Sequence, residues 1–238
     1  MIGKQPLVLL PGTLCTELTF QHQVTHLDDI CNPLVLPLQR GTTPRETAEW
    51  ILAQAPQQFA LAGFSQGAIV AFEMARLAPE RLDRLALLDA NPLSPREEQL
   101  VLWERWRRQA RDEGLSEIIG DMISAGVHPG RRHDLWLCAA IEQMAIATGV
   151  DAFIRQLEGL TKRIDSRPSL AQITCPTLLL VGRQDGITPL EFHEEMASLL
   201  PHVTLLPIED SGHYSPMEQP QAVTAALRYW LQAPRSER

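Results

Sequence analysis

The stretch FALAGFSQGAIVA, residues Phe59 to Ala71, decides how the rest of the chain is organised. Its first four residues form a short apolar run that is typical of a buried strand, and Ala68 begins a segment with apolar residues at helical spacing. Between them lies the G-x-S-x-G sequence Gly63-Phe64-Ser65-Gln66-Gly67. A strand that reverses into a helix over so few residues needs glycines, and it holds the central Ser65 in a strained, exposed position.

The composition limits the classes of protein to which the chain can belong. It has 238 residues, of which 45% are hydrophobic and 21% charged, as expected for one globular domain with or without a large insertion. The formal charge of −8 argues against general nucleic-acid binding, which needs a basic surface. The N-terminus reaches a glycine before a signal-peptide core could form, and no apolar run approaches the length of a membrane span. We therefore expect a cytoplasmic protein without a membrane span.

The cysteine and histidine residues do not form a recognisable metal site. The four cysteines lie far apart without a C-x-x-C pair, which favours neither a disulfide framework nor a zinc site. His22 and His26 are four residues apart in a predicted helix, but no third ligand is evident. We expect neither a metal ion nor a cofactor.

Short apolar runs alternate with helical patterns along most of the chain. The predicted strands are Pro6–Leu10, Pro33–Leu38, Phe59–Ala62, Arg84–Asp89, Thr177–Val181 and Val203–Ile208. From about residue 92 to 169 only helical patterns occur. Six strands joined by helices predict a mostly parallel, doubly wound α/β sheet with a helical lid inserted after the fourth strand. The predicted core is residues 1–91 and 170–238, and the predicted helical cap is residues 92–169.

Three residues at the carboxyl ends of strands, where such sheets bind ligands, have the chemistry of a nucleophile, a base and an acid. Ser65 follows the third strand, and a serine nucleophile needs a base that is itself held by an acid. His213, after the sixth strand, is the predicted base, and Gly212 lets the backbone turn tightly before it. Asp185, directly after the fifth strand, is the predicted acid. Asp89, which ends the fourth strand, is the main alternative acid.

An oxyanion formed by attack of Ser65 on a carbonyl needs preorganised hydrogen-bond donors. The backbone N–H of Gln66, at the start of the predicted helix, is one candidate. The second donor should come from the turn after the first strand, where the N–H of Thr13 is preferred and Leu14 is the nearby alternative.

Taken together, these motifs resemble the α/β-hydrolase superfamily over nearly the whole chain. The order Ser65, Asp185, His213 matches the family's order of nucleophile, acid and histidine, and the G-x-S-x-G matches its nucleophile elbow. The segments LLPGTLC, LLLVGRQDGITP and EDSGHYSPMEQP are similar to its oxyanion turn, acid loop and histidine loop. Within the superfamily the chain resembles small bacterial carboxylesterases, including the pimeloyl-carrier-protein methyl ester esterase and enol-lactonase groups. The resemblance implies an α/β-hydrolase fold and a serine hydrolase activity.

The predicted lid is where substrate specificity is expected. Its apolar side chains either line a pocket for an acyl or alcohol group or pack the lid against the core, and both roles are compatible. The residues predicted to bind substrate are Leu14, Trp103, Trp106, Trp136 and Phe153. Four arginines between Trp103 and Arg111, with Arg131 and Arg132, suggest a dock for the phosphate of an acyl carrier or a coenzyme A thioester. The alternative is a solvated helix face whose arginines pair with acids.

The leading hypothesis is a serine hydrolase that cleaves carboxylic esters or thioesters through an acyl-enzyme. One alternative is a lyase or a C–C bond hydrolase that uses the same three residues. Another is a ligand-binding or interaction module without turnover.

Overall fold

A computed structural model of the chain describes residues 4–234, so residues 1–3 and 235–238 of the predicted core lie outside the described residues. Six parallel strands form one sheet in the order β2-β1-β3-β4-β5-β6. The strands are β1 Gln5–Leu10, β2 Cys31–Val35, β3 Phe59–Phe64, β4 Leu82–Leu88, β5 Thr177–Gly182 and β6 Val203–Ile208. The predicted parallel, doubly wound sheet is confirmed.

Helices cover both faces of this sheet. They are α1 Gln21–Leu27, α2 Pro44–Leu52, α3 Gln66–Leu77, α4 Glu97–Asp112, α5 Ser116–Gly126, α6 Leu135–Thr148, α7 Val150–Thr161, α8 Arg167–Leu170, α9 Leu190–Leu199, α10 Ser215–Glu218 and α11 Pro220–Gln232. Side chains alternate between faces along a strand, so Leu7 and Leu9 of β1 join one core while Val8 and Leu10 join the other. The central strands are largely apolar because both of their faces are buried; Asp83 and Arg84, near the start of β4, are the exceptions in β3 and β4.

The second strand begins two residues earlier than the predicted Pro33–Leu38. β2 spans Cys31–Val35, and its pairing with β1 is followed by a hydrogen bond of 3.0 Å from the N–H of Leu36 to the carbonyl of Leu9. The strand lies at the sheet edge, where Pro33 is tolerated because a proline has no N–H to donate to a neighbouring strand.

The sequence pattern after the last strand predicts one closing helix from about Pro216 to Leu231. The structure divides this segment into two helices, α10 and α11. Pro220 has no N–H to continue the first helix, but its fixed φ suits the first turn of the next helix. The break places Glu218, the last residue of α10, beneath the loop that precedes this helix.

Helices α4 to α7 lie between β4 and β5 in the chain, in the segment 92–169, which is called the cap segment below. The division of the chain into a core domain and a cap domain stays a prediction. In the described residues no single helix has the length and apolarity to cross a membrane; α6 and α7 meet such a test only as a pair, and they are bent by 93°.

Candidate active site

The turn from β3 into α3 presents Ser65 in a backbone conformation that side chains rarely adopt. Ser65 has φ 53° and ψ −115°, and its N–H donates to the carbonyl of Leu88 at 2.9 Å. Two flanking glycines are needed because the backbone passes close by: a Cβ on Gly63 would lie 2.5 Å from the carbonyl oxygen of Gly67, and one on Gly67 would lie 2.1 Å from that of Leu10. The turn therefore holds the Ser65 side chain at the carboxyl end of the sheet.

The structure brings Ser65, His213 and Asp185 into one chain of hydrogen bonds. The Nε2 atom of His213 lies 2.9 Å from Oγ of Ser65, and its Nδ1 atom lies 2.8 Å from Oδ2 of Asp185. The other oxygen of Asp185, Oδ1, accepts the N–H groups of Ile187 and Thr188 at 2.7 and 2.9 Å. Each of the three side chains is therefore held in a geometry suited to passing a proton from serine to imidazole.

Opposite charges decide the protonation states of this buried pair. Burial alone would raise the pKa of Asp185, but the charge of His213 and hydrogen bonds from His213 and Thr188 lower it to about 2. Burial alone would lower the pKa of His213, but the Asp185 carboxylate raises it above its ordinary value of 6.5. The arrangement thus stabilises an imidazolium next to Ser65.

Asp89, the alternative acid, hydrogen-bonds Gly182 and Ser215, whereas Nδ1 of His213 is bonded to Asp185. It is fully buried, its Oδ1 accepts the N–H of Gly182 at 2.9 Å, and its Oδ2 lies 2.5 Å from Oγ of Ser215. Burial and the neighbouring Asp185 carboxylate raise the pKa of Asp89 well above its ordinary value. Its neutral form is favoured, and its hydrogen bonds join the ends of β4 and β5 to the histidine loop.

The loop that carries His213 is fixed by Glu218 and by the end of α5, and no sequence motif points to either. The Glu218 carboxylate is buried, and its Oε1 accepts the N–H groups of Gly212 and Tyr214, each at 3.1 Å. Gly212 is needed for close approach, because a Cβ there would lie 2.2 Å from the carbonyl oxygen of Gly126 at the end of α5. That carbonyl also accepts the His213 N–H at 2.6 Å, so the cap segment helps to hold the histidine.

The predicted oxyanion donors lie side by side. Oγ of Thr13 donates to Oε1 of Gln66 at 2.8 Å, which ties the turn after β1 to the start of α3. In the part of the chain that the structure describes, the backbone N–H groups of Thr13 and Gln66 donate to no other residue. The alternative donor, the N–H of Leu14, is occupied by Oε1 of Gln156 at 3.0 Å.

Gln156 of α7 is a site residue that sequence reasoning missed. Besides accepting from Leu14, its backbone carbonyl accepts Nε2 of Gln66 at 2.8 Å, and its own Nε2 donates to the carbonyl of Leu38 at 3.3 Å. The residue is 5% exposed. No sequence motif surrounds Gln156 in α7, so the sequence alone does not identify it as a site residue.

A cavity of about 440 Å³ opens above Ser65 and His213, between the sheet edge and the cap segment. Trp103 and Trp106 of α4 line it, together with Met122 and Leu160. Its walls are therefore largely apolar, as in many sites for small organic ligands. A role of Trp103 and Trp106 in substrate binding stays a prediction.

Three other residues predicted to bind substrate lie outside the lining of this cavity. Trp136 is 65% exposed, because α6 turns that side chain to solvent. Phe153 is fully buried and packs against Trp106, with ring centroids 6.4 Å apart. Leu14 is buried, and its N–H is held by Gln156. The assignment of these three to substrate binding stays a prediction, since apolar helical spacing alone does not distinguish pocket walls from packing faces.

The sequence model of the alpha/beta hydrolase family matches residues 7–227. The chain belongs to the alpha/beta hydrolase family. A curated relative of this α/β hydrolase, the pimeloyl-[acyl-carrier protein] methyl ester esterase of Aliivibrio salmonicida strain LFI1238, is 26% identical over 71% of this chain and 66% of the relative. The matched region therefore spans just under two thirds of that relative's length.

Solved structures show the same architecture. A thermophilic esterase from Thermogutta terrifontis, with malate bound, superposes on this α/β hydrolase with a TM-score of 0.87 at 29% identity, over 97% of this chain and 90% of that one. The enol-lactonase from Burkholderia xenovorans LB400 gives a TM-score of 0.87 at 19% identity, over 97% and 92% of the two chains, and supports the fold alone. The predicted resemblance to α/β-hydrolase esterases is confirmed, and the chain is an ester hydrolase of this family.

Proposed function

We propose that this α/β hydrolase cleaves carboxylic esters through an acyl-enzyme, with Ser65 as nucleophile, His213 as general base and acid, and Asp185 as the group that orients the imidazole. The observation that carries the proposal is the unbroken hydrogen-bond chain from Ser65 through His213 to Asp185 at the base of an apolar cavity. A serine hydroxyl becomes an effective nucleophile when a base accepts its proton during attack.

In the first half of the proposed reaction, Oγ of Ser65 bonds to the ester carbonyl carbon while its proton passes to Nε2 of His213. The resulting oxyanion accepts the N–H groups of Thr13 and Gln66, at the N-terminus of α3, where the helix dipole favours negative charge. The imidazolium then gives its proton to the departing alkoxide, and the C–O bond breaks. In the second half, His213 takes a proton from water while the hydroxide attacks the acyl carbon. The bond between that carbon and Oγ of Ser65 then breaks, the imidazolium returns its proton to Oγ, and the carboxylic acid leaves.

The finer identity of the substrate is also part of the proposal. The Aliivibrio relative is named for the methyl ester of an acyl group on a carrier protein, which supports an ester with a small leaving alcohol. A dock for a carrier phosphate at the cap arginines has less support from the contacts. Arg107 and Arg108 pair with Glu104, and Arg105 lies 3.8 Å from Asp121. These pairs favour the alternative of a solvated helix face.

The direct test is to trap the acyl-enzyme. The protein is mixed with p-nitrophenyl esters from acetate to decanoate, quenched early, and the peptide containing Ser65 is weighed by mass spectrometry. We expect that peptide to gain the mass of the acyl group. The acyl chain length that gives the highest kcat/KM should show how long a chain the cavity accommodates. Turnover of the true substrate without an acyl-enzyme would favour the lyase or C–C hydrolase alternative, and binding without turnover would favour a ligand-binding module.

The pH dependence of kcat/KM should report the titration of His213. Only the neutral imidazole accepts the serine proton, so activity rises as the pH passes upward through the pKa of this group. Because the Asp185 carboxylate outweighs burial and raises the pKa of His213, the midpoint of the acid limb should lie above 6.5. The measurement is kcat/KM for p-nitrophenyl acetate across buffers of constant ionic strength. A flat profile, or a midpoint below the ordinary histidine value, would contradict the assigned base.

Gln156 should act as a positioning residue for the oxyanion donors. In Gln156→Ala the Leu14 N–H loses its acceptor, so the turn that presents Thr13 loses its direct hydrogen bond to α7 and stays linked to that helix through Gln66. Removing one oxyanion donor costs about 100- to 1000-fold, and displacing one should cost about tenfold in kcat with little change in KM. Asp151→Ala, an exposed position on the same helix, is the matched control. Equal losses in kcat and in thermal stability for both variants would point to a merely structural role.

A further inference from the structure

Arg163 is a buried cation that has no ion-pair partner among the described residues. Its side chain belongs to the connection that returns from α7 to the core, and the residue is 6% exposed. In residues 4–234 no carboxylate lies within ion-pair distance of its guanidinium. Burial of an unpaired charge is costly, so an arginine kept in such a position needs a compensating role.

Three neighbours fix the orientation of this guanidinium. Nε donates to the carbonyl of Leu93 at 2.8 Å, and Nη2 donates to Oε1 of Gln99 at 3.1 Å. The guanidinium carbon lies 5.2 Å from the centre of the Trp103 ring, within the range of a cation–π contact. Nη1 donates to none of the described residues. The N–H groups of Nη1 are therefore free to bind a ligand, on a side chain that lines the same cavity as Ser65.

The surrounding charges leave this end of the cavity positive. Burial and then the nearby charge of Arg96 lower the pKa of Arg163 to about 10, so the guanidinium is still protonated at neutral pH. Of the carboxyl groups that line the cavity, Asp89 has its pKa raised well above the ordinary value, which favours its neutral form. The other, Asp121, faces Arg105 at 3.8 Å.

We propose that Arg163 binds a carboxylate of the substrate, so that the preferred substrates of the Ser65 site are esters that carry a free carboxylate, such as monoesters of dicarboxylic acids. This role depends on the ester hydrolysis proposed above. A planar carboxylate matches the fork of a guanidinium and would complete its hydrogen bonding. The ester carbonyl would then lie at Ser65, with the connecting carbons against the apolar wall.

The test compares substrates that differ only in this charge. Monomethyl esters of the linear dicarboxylic acids from succinic to suberic are each paired with the dimethyl ester of the same acid. We expect wild-type protein to give the higher kcat/KM for the monomethyl ester at the best chain length. A hydrogen bond to a charged group corresponds to about 10- to 100-fold, and the preference should be of that size.

Two variants should abolish the preference by different routes. Arg163→Gln removes the cation. Gln99→Glu places a carboxylate on the existing acceptor of Nη2, supplying the missing ion-pair partner without removing the arginine. Both should lower the ratio of monomethyl to dimethyl kcat/KM by about 10- to 100-fold. Arg108→Gln removes a 72% exposed arginine of the same cap segment and should leave the ratio unchanged.

Binding separates this inference from the proposed function. Calorimetric titration of Ser65→Ala with the monomethyl ester needs no turnover, and its affinity should fall on adding Arg163→Gln. If wild type hydrolyses both esters of a pair equally well, or if both variants lower the two rates by the same factor, Arg163 is only structural while the hydrolase assignment stands. If no ester is hydrolysed, the proposed function is wrong. The anion site is then judged by calorimetry alone: it is supported if Arg163→Gln lowers the affinity and overturned if the affinity is unchanged.

Discussion

Replacing Ser65 by alanine should lower kcat for p-nitrophenyl esters by about 10⁴- to 10⁶-fold, or about 5 to 8 kcal/mol of activation free energy. The alanine keeps the backbone and the cavity but removes Oγ, the atom that lies 2.9 Å from Nε2 of His213. Residual hydrolysis would come from binding and oxyanion stabilisation of a directly attacking water. The measurement is steady-state kinetics with p-nitrophenyl butyrate on both proteins.

The fold of this variant must be shown to be intact. Because Ser65 has φ 53°, where alanine is as strained as serine, the thermal midpoint of Ser65→Ala should stay close to that of wild type. A second line of evidence is labelling by a fluorophosphonate probe, which wild type should show and the variant should lack. Retention of more than about a tenth of the wild-type kcat in Ser65→Ala would remove Ser65 from the mechanism.

The elbow could be predicted from sequence because its determinants are local. Gly63 and Gly67 flank Ser65 within five residues, and the close approaches that require them follow from the strand-to-helix reversal itself. The fold class could be predicted for a similar reason, since each apolar run is bounded by its own turn signals. Errors occurred where prolines set the boundary, as at β2 and at Pro220.

The groups that complete the site could not be predicted, because their roles depend on contacts between distant parts of the chain. Gln156 meets Leu14 across 142 residues, and Arg163 meets Leu93 across 70. Trp136 is 65% exposed on α6, and an apolar residue in a helical pattern does not show by itself whether its side chain faces a pocket or solvent. Burial and pairing, which make Arg163 unusual, are properties of the folded chain alone.

Asp185 and Asp89 illustrate how environment distinguishes two strand-end carboxylates of similar sequence context. Both are buried at the carboxyl edge of the sheet. Asp185 contacts His213 and accepts two backbone N–H groups, which hold its pKa at about 2, whereas burial and the charge of Asp185 raise the pKa of Asp89. The first is a permanent anion beside the imidazole, and the second is favoured as a neutral linker. Substitution by asparagine should therefore be far more damaging to kcat at Asp185 than at Asp89.

Asp185→Asn should lower kcat by about 10⁴-fold. The amide oxygen replaces Oδ1, which accepts from Ile187 and Thr188, so the NH₂ group faces Nδ1 of His213. Nδ1 must then accept, which puts the imidazole proton on Nε2 and leaves no acceptor for the proton of Ser65. Loss of the carboxylate charge also lowers the pKa of His213, so the acid limb of the residual kcat/KM profile should move to lower pH.

The matched control is Asp89→Asn, which keeps a neutral group able to accept from Gly182 and donate to Ser215. Its kcat should fall by less than about tenfold, and its acid limb should shift less than that of Asp185→Asn, because Asp185 raises the pKa of His213 more than Asp89 does. The two variants are compared in kcat, kcat/KM against pH, and thermal midpoint. If Asp89→Asn were the inactive variant and Asp185→Asn the active one, the acid of this hydrolase would lie at the end of β4 instead. The bond between Asp185 and His213 would then serve only to hold the loop.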